Sequence, residues 1–325
     1  MSPKAPPLLE VDIEVKRRQV VVEASFALDA GERLAIFGTS GAGKTTILES
    51  VAGLTRLSRG KVRVENKLVA GRVKGEATMA PRHRQVALVR QPTTLFPHLT
   101  AEQNVAYAIR HSPAGTRVDE LLERLGLSSL ARARGAALSG GQRQRVALGR
   151  ALAGPFRVLL LDEPLSAVDI AAREPLRLLT IETSLARDAA GILVTHDLAE
   201  AQAFSDRLGI IDGGQLLQVG GALEVVLSPA TRRVAELVGY AGFVPHPARP
   251  GCWYAIHPDR LVHATVPERG VVLEGTVLST RPFGLRYECT VTTRSGEQFT
   301  VHLDTPPPGG TEASFTAIDP PLVGA

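Results

Sequence analysis

The sequence predicts an α/β domain with a parallel sheet, followed by a smaller all-β domain. Three observations predict it. The stretch Gly38-Thr39-Ser40-Gly41-Ala42-Gly43-Lys44-Thr45-Thr46 lies between an apolar run, Leu34–Phe37, and a helical pattern, Ile47–Leu54. Short apolar runs recur at Val86–Val89, Val158–Leu161 and Gly191–Thr195, as buried parallel strands do. From Tyr240 to Ala325, 86 residues hold 11 of the chain's 22 prolines, which disfavours helices there.

Bulk properties narrow the class. A chain of 325 residues suggests two domains and can bury a sizeable core. Its 37 basic and 33 acidic residues leave a formal charge of +4, too little to require nucleic acid as a partner. Cys252 and Cys289 are far apart in sequence and fit reduced thiols rather than a zinc site or a disulfide framework. Met1–Pro7 has no apolar core of the kind a signal peptide needs. No apolar run approaches the ~18 residues that span a bilayer, so action at a membrane requires a partner.

Leu9, Val11, Ile13 and Val15 alternate with charged residues as a half-buried strand does. Lys16–Gln19 reads as a turn, and Val20–Val22 begin the return strand. Gly38–Thr46 is then a glycine-rich turn between strand and helix, the context of a phosphate-binding loop. Glycines let backbone N–H groups wrap a polyphosphate, and the new helix offers its positive end. Lys44 can reach the β- and γ-phosphates, and Thr45 is placed to hold Mg²⁺. Ser58-Arg59-Gly60 is a turn before short strands at Lys61–Val64 and Lys67–Val69. Gln91 sits where the strand Val86–Val89 releases into a loop at Pro92, with a metal ligand, a water-positioning group or a solvated amide as its open roles.

Residues 100–154 read as a helical subdomain, with Thr100 and Gln103 placed as a capping box. From Arg124 to Leu161 there is no Asp or Glu, while seven arginines fall inside. Within that run, Ser139 is a good N-cap and Gly140-Gly141 leave backbone amides accessible, a second anion-binding helix start. After the strand Val158–Leu161, Asp162 and Glu163 point in different directions by period-2 geometry. One can complete Mg²⁺ coordination and the other can orient or deprotonate water. Gly191–Thr195 ends at His196, on the same sheet edge. Leu208–Leu216 reads as a closing hairpin.

These residues, in this order, resemble the ATPases of ABC transporters over about residues 8–230. Gly38–Thr45, Gln91, Leu138–Gln142, Leu161–Pro164, Asp169 and His196 resemble the family's Walker A loop, Q-loop, signature, Walker B, D-loop and H-loop. The resemblance implies a P-loop NTPase fold with a β-subdomain and a helical subdomain at residues 1–239. It implies that Gly38, Ser40, Gly41, Ala42, Gly43, Lys44, Thr45 and Thr46 hold ATP. Thr45, Gln91 and Asp162 arrange Mg²⁺, and Glu163, His196 and Lys44 are catalytic. Ser139, Gly140, Gly141, Gln142 and Asp169 belong to a seam in which a second copy caps the nucleotide. Leu95–Thr100 resembles bacterial importers, and Ile36–Thr45 with Ala52–Arg56 is most similar to the ATPases of molybdate importers. Iron, sulfate, sugar and polyamine importers are near alternatives. The implied partners are integral-membrane permease subunits near Gln91–Val105, with Phe96 a candidate contact, and indirectly a solute-binding protein. The implied place is the cytoplasmic face of the membrane.

The sequence departs from the family in three places. Leu8–Ala24 contains none of the aromatic residues that usually stack on adenine, Arg90 replaces an apolar residue, and Val168 replaces leucine. A nucleic-acid-acting relative is disfavoured, because only 95 positions separate Lys44 from Ser139, with no inserted coiled coil.

In residues 240–325, Tyr287–Thr293 and Gln298–Leu303 flank Arg294-Ser295-Gly296 as a hairpin. This region resembles the small OB/TOBE-like β-barrel regulatory domain of importer ATPases. Arg281, Arg286 and Arg294 are either oxyanion ligands or ordinary strand charges. His246, His257, His263 and His302 show no metal-ligand spacing.

Overall fold

The computed structural model describes residues 6–17, 20–71, 78–111, 117–262 and 270–324. Expectations placed on Met1–Ala5, on Arg18-Gln19 of the first turn and on His263 lie outside the described residues. The chain divides into two compact units, Met1–Ala222 and Leu223–Ala325.

The first unit is built on one ten-stranded sheet. Its strands are β1 (Leu9–Lys16), β2 (Val21–Leu28), β3 (Arg33–Gly38), β4 (Arg59–Val64), β5 (Lys67–Gly71), β6 (Val86–Val89), β7 (Val158–Asp162), β8 (Ala190–Thr195), β9 (Arg207–Asp212) and β10 (Gln215–Gly221). The order is β5-β4-β1-β2-β10-β9-β3-β8-β7-β6. One half is antiparallel, with β1 between β2 and β4 and its apolar residues facing the core at alternate positions. The other half is parallel from β9 through β3, β8 and β7 to β6. β7 and β8 are buried along their whole length, which explains their unbroken apolar reading. Parallel register brings the carboxyl ends of β3, β8, β7 and β6 to one edge, where ligands of open α/β sheets bind.

The second unit begins with two short helices, Ala222–Leu227 and Arg232–Leu237. Composition marks a shift at Tyr240, but compactness divides the chain at Ala222. Packing accounts for the difference. The Tyr240 hydroxyl donates to the Val226 carbonyl at 3.1 Å, and Thr231 bridges Gly324, so the helices belong with the strands that follow. A three-stranded sheet joins Phe243–Pro245, Cys252–Ala255 and Leu322–Gly324. A five-stranded sheet runs in the order Leu261–Val262, Glu312–Ala317, Val271–Phe283, Arg286–Thr293, Gln298–Leu303. Its core holds Phe299 against Phe315, ring centres 5.7 Å apart and edge to face. No ladder joins its two edge strands among the described residues. The three arginines singled out in the sequence are paired with carboxylates: Arg281 with Glu288, Arg286 with Asp259 and Asp304, and Arg294 between Glu274 and Glu312.

The helical part of the first unit holds Ala101–Tyr107, Val118–Arg124 and Gly140–Ala153. The arginines of the acid-free run do not form a free basic stripe. Arg143 donates to the Leu138 carbonyl, Arg145 to Leu125 and Gly126, and Arg150 to Thr94. Arg124 pairs with Glu182. Phe96 is half-buried, its ring 4.6 Å from Tyr107 and covered by Arg150. Thr100 and Gln103 form the expected capping box. Asn104 is fully buried and ties the segment before that box to the helix. Its Oδ1 accepts from the Phe96 amide at 2.9 Å, and its Nδ2 donates to the carbonyls of Phe96, Leu99 and Thr100. Asn104→Ala strands these groups away from water. It is expected to cost about 2–3 kcal/mol of unfolding free energy in urea titration; an unchanged midpoint contradicts this.

Candidate functional site

The phosphate loop folds as its glycines allow. Helix α1 (Lys44–Ala52) starts directly after Gly43, whose φ of 105° is open to glycine alone without strain. A Cβ there would also lie 2.7 Å from Val22. Ala42 is buried, while Thr39, Ser40 and Gly41 are exposed. The Lys44 ammonium is folded back on the loop, donating to the carbonyls of Gly38 at 2.7 Å and Thr39 at 2.9 Å. Burial lowers the Lys44 pKa, opposed by the negative charges of Glu163 and Asp162. The loop thus offers a poorly solvated cation and the free first amides of a helix, the donor set an oligophosphate needs.

Two strand ends away lies the acidic pair. Asp162 ends β7 almost wholly buried, and its Oδ2 accepts from the Thr45 hydroxyl at 3.0 Å. Burial raises the Asp162 pKa; the Thr45 hydrogen bond and Lys44 lower it, while Glu163 and Glu49 raise it further. A buried carboxylate beside a hydroxyl is a hard oxygen pair, which fits Mg²⁺. Glu163 has φ of 45°, in the left-handed region disfavoured for a residue with a Cβ. Its amide donates to the Val194 carbonyl at 2.9 Å. Glu163 Oε1 meets His196 Nδ1 at 2.9 Å. Gln91 reaches the same rim, Nε2 at 3.4 Å from the Ser166 hydroxyl. Thr46 is half-buried on α1.

The Ser139 side of the predicted set stands apart. Ser139 caps the helix Gly140–Ala153 in a reciprocal box with Gln142. Ser139 and Gly140 are exposed, and no hydrogen bond among the described residues links Ser139–Gln142 to the phosphate loop. Asp169 precedes the helix Ile170–Leu185 and makes no side-chain cap. What joins this helix start to the acidic strand end is Gln144, which the sequence reading did not single out. Its Nε2 donates to the Glu163 carbonyl at 2.6 Å, and its Oε1 accepts from the Ala167 amide at 2.8 Å. Gly141 lets the two segments touch, since a Cβ there would lie 2.6 Å from the Ala167 carbonyl. The available signal was an uncharged polar residue on the buried side of an amphipathic helix.

Residues 21–166 match the protein family described as ABC transporter. An ATP-binding cassette solved as a dimer in a post-hydrolysis state with ADP and Pi superposes with a TM-score of 0.55 at 25% identity, covering 66% of this chain and 98% of that one. The cbiO1 protein of Clostridium perfringens, part of the transporter complex cbiONQ, superposes with a TM-score of 0.56 at 24% identity, covering 67% and 90%. The first unit has the fold of an ABC-type ATPase cassette. Curated relatives of the cassette include the trehalose/maltose import ATP-binding protein MalK of Thermococcus litoralis, 40% identical over 67% of this chain and 60% of its own length. The Fe(3+) ions import ATP-binding protein FbpC 2 of Rhodococcus jostii is 40% identical over 67% and 62%. The sulfate/thiosulfate import ATP-binding protein CysA 2 of Chromobacterium violaceum is 40% identical over 70% and 62%. The chain therefore spans less than two thirds of the length of these relatives.

Burial of Asp162 sets a pH dependence for the cassette. Its folded-state pKa lies above the ordinary carboxyl value of 3.8, so the folded form holds the proton more tightly than the unfolded chain. Stability is then gained as pH falls through the folded-state pKa towards 3.8, and ionised Asp162 costs stability above that window. Asp162→Asn is expected to raise the Tm of the metal- and nucleotide-free protein at neutral pH, and to leave a shallower pH dependence, because the half-buried Glu200 shifts in the same direction. A lower Tm for this variant, by calorimetry, contradicts the reading.

Proposed function

We propose that this chain is the ATP-hydrolysing subunit of an importer, with ATP as substrate and Mg²⁺ as its metal. One observation carries the reading: adjacent parallel strands deliver Lys44, Thr45, Asp162, Glu163 and His196 to one edge, where Thr45 is hydrogen-bonded to Asp162 and Glu163 to His196.

In this reading Lys44 leaves the Gly38 and Thr39 carbonyls for the β- and γ-phosphates, joined by the amides of Gly38–Thr46. Thr45, Asp162 and Gln91 hold the metal, which when bound neutralises charge on the phosphate oxygens. Glu163 takes the proton of the attacking water, and His196, already in contact with it, fixes the carboxylate and contacts the γ-phosphate. Phosphoryl transfer rests on positioning and electrostatics, so these groups suffice. Ser139, Gly140, Gly141, Gln142 and Asp169 face a second copy of the chain, whose nucleotide they cap. The exposed position of Ser139 and Gly140, away from the chain's own phosphate loop, supports this. Closure is favoured by ATP because the closed dimer adds contacts to the γ-phosphate.

No helix among the described residues is long and apolar enough to cross a membrane, so coupling to transport runs through permease subunits, docked on the cytoplasmic side near Gln91–Val105. A solute-binding protein acts upstream of them. Residues 1–239 supply the nucleotide-binding domain and residues 240–325 a regulatory one. Similarity over Ile36–Thr45 supports an oxyanion such as molybdate as cargo. The names of the curated relatives support sugar, ferric iron, polyamine or sulfate equally well.

Glu163→Gln tests the mechanism with little change of shape. The variant is expected to bind MgATP, to dimerise with it, and to lose about 10²–10⁴-fold in turnover. Hydrolysis at the wild-type rate refutes the role of Glu163. A variant that stays monomeric with MgATP, permease subunits supplied, refutes the shared site.

A further inference from the structure

Two departures of this sequence from its family meet at one carboxylate. Arg17 lies in the hairpin region that lacks an aromatic residue, and Arg90 precedes Gln91 where an apolar residue is usual. Glu49 stands between them on α1. Arg17 Nη2 donates to Glu49 Oε2 at 3.0 Å and to the Thr55 hydroxyl at 3.0 Å. Arg90 Nη2 donates to Glu49 Oε1 at 2.8 Å. The Thr55 hydroxyl donates to Glu49 Oε2 at 2.9 Å. Each carboxylate oxygen thus holds its own guanidinium.

An exposed ion pair is worth little, but a network around a poorly solvated group is worth more. The Glu49 side chain is only 16% exposed, whereas Arg17 and Arg90 keep 44% and 48%. The carboxylate is therefore the fixed hub, and the arginines are arms that reach it from elements 32 and 41 residues away. Glu49 also lies one helical turn after Thr45, on the same face of α1, and its charge is felt at Asp162. The Gln91 side chain, by contrast, has among the described residues one hydrogen bond, a 3.4 Å contact to Ser166. Its neighbour Arg90 supplies the stronger tether.

We propose that Glu49 is a positioning residue: by clamping Arg17 and Arg90 to the phosphate-loop helix it fixes the point at which Gln91 leaves the sheet, relative to Thr45 and Asp162. The clamp serves the metal-binding role of Gln91 and so rests on the function proposed above. It joins the first hairpin, the phosphate-loop helix and the Gln91 loop into one body, which makes Gln91 geometry depend on side chains that touch neither metal nor phosphate.

The test uses the full chain with Glu49→Gln, Arg90→Met and Arg90→Lys. Amide exchange over residues 88–95 is expected to quicken about tenfold in Glu49→Gln and Arg90→Met and to stay near wild type in Arg90→Lys. The Mg²⁺ concentration that half-saturates hydrolysis should rise by a similar factor in the first two, with ATP affinity in EDTA unchanged. Unchanged exchange over 88–95 in Glu49→Gln overturns the clamp. So does an equal loss of ATP affinity in EDTA, which would place Glu49's effect on the phosphate loop itself. Should Glu49→Gln not fold, Arg90→Met, altered at a half-exposed position, carries the same comparison. A wild-type chain that does not hydrolyse MgATP refutes the proposed function, while the exchange data still decide the clamp.

Discussion

Everything at the rim depends on keeping a buried carboxylate at the end of one strand within one hydrogen bond of a hydroxyl on the helix that follows another. Asp162 and Thr45 meet at 3.0 Å although β8 lies between β7, which ends at Asp162, and β3, which leads through the phosphate loop into α1. A slip of one residue in either ladder would move the carboxylate to the opposite face of the sheet. The register is held by the full burial of β7 and β8, which leaves no polar edge to pair elsewhere. The core here supplies less a reservoir of stability than a ruler for two oxygens.

That ruler carries a cost. Lys44 and Asp162 are both poorly solvated, and burial shifts each towards its neutral form. Their mutual attraction does not offset this, which is the expected balance for charges taken out of water. An arrangement that weakens the empty protein makes sense where a polyanion and a divalent cation complete it. The second unit works differently. Arg281 and Arg294 hold ion pairs from exposed strand and turn positions, and the core is Phe299, Phe315 and their aliphatic neighbours.

Much of this was legible in the sequence because parallel strands leave a plain trace. An unbroken apolar run followed at once by polar residues marks both a buried strand and its carboxyl end. Gly38, Gln91, Asp162 and His196 were found that way, and the hairpin 286–303 by its alternation and its Ser295-Gly296 turn. What stayed illegible is what depends on packing between distant segments. Gln144 acts through a turn about 20 residues on, and Glu49 through partners at 32 and 41 residues' distance. Composition alone did not show that four of the seven arginines in the acid-free run, Arg143, Arg145, Arg150 and Arg157, donate to backbone carbonyls. The division at Ala222 was hidden for a related reason: proline content reports where helices stop, not where contacts do.

The left-handed backbone at Glu163 has an evolutionary corollary. A glycine or asparagine would sit there with less steric conflict, so an acid at this position is held against the local preference of the chain. Copies of this gene released from selection for turnover would drift towards those residues first, and would gain rather than lose thermal robustness as they did. Catalytically silent cassettes paired with active ones are the form such drift would take.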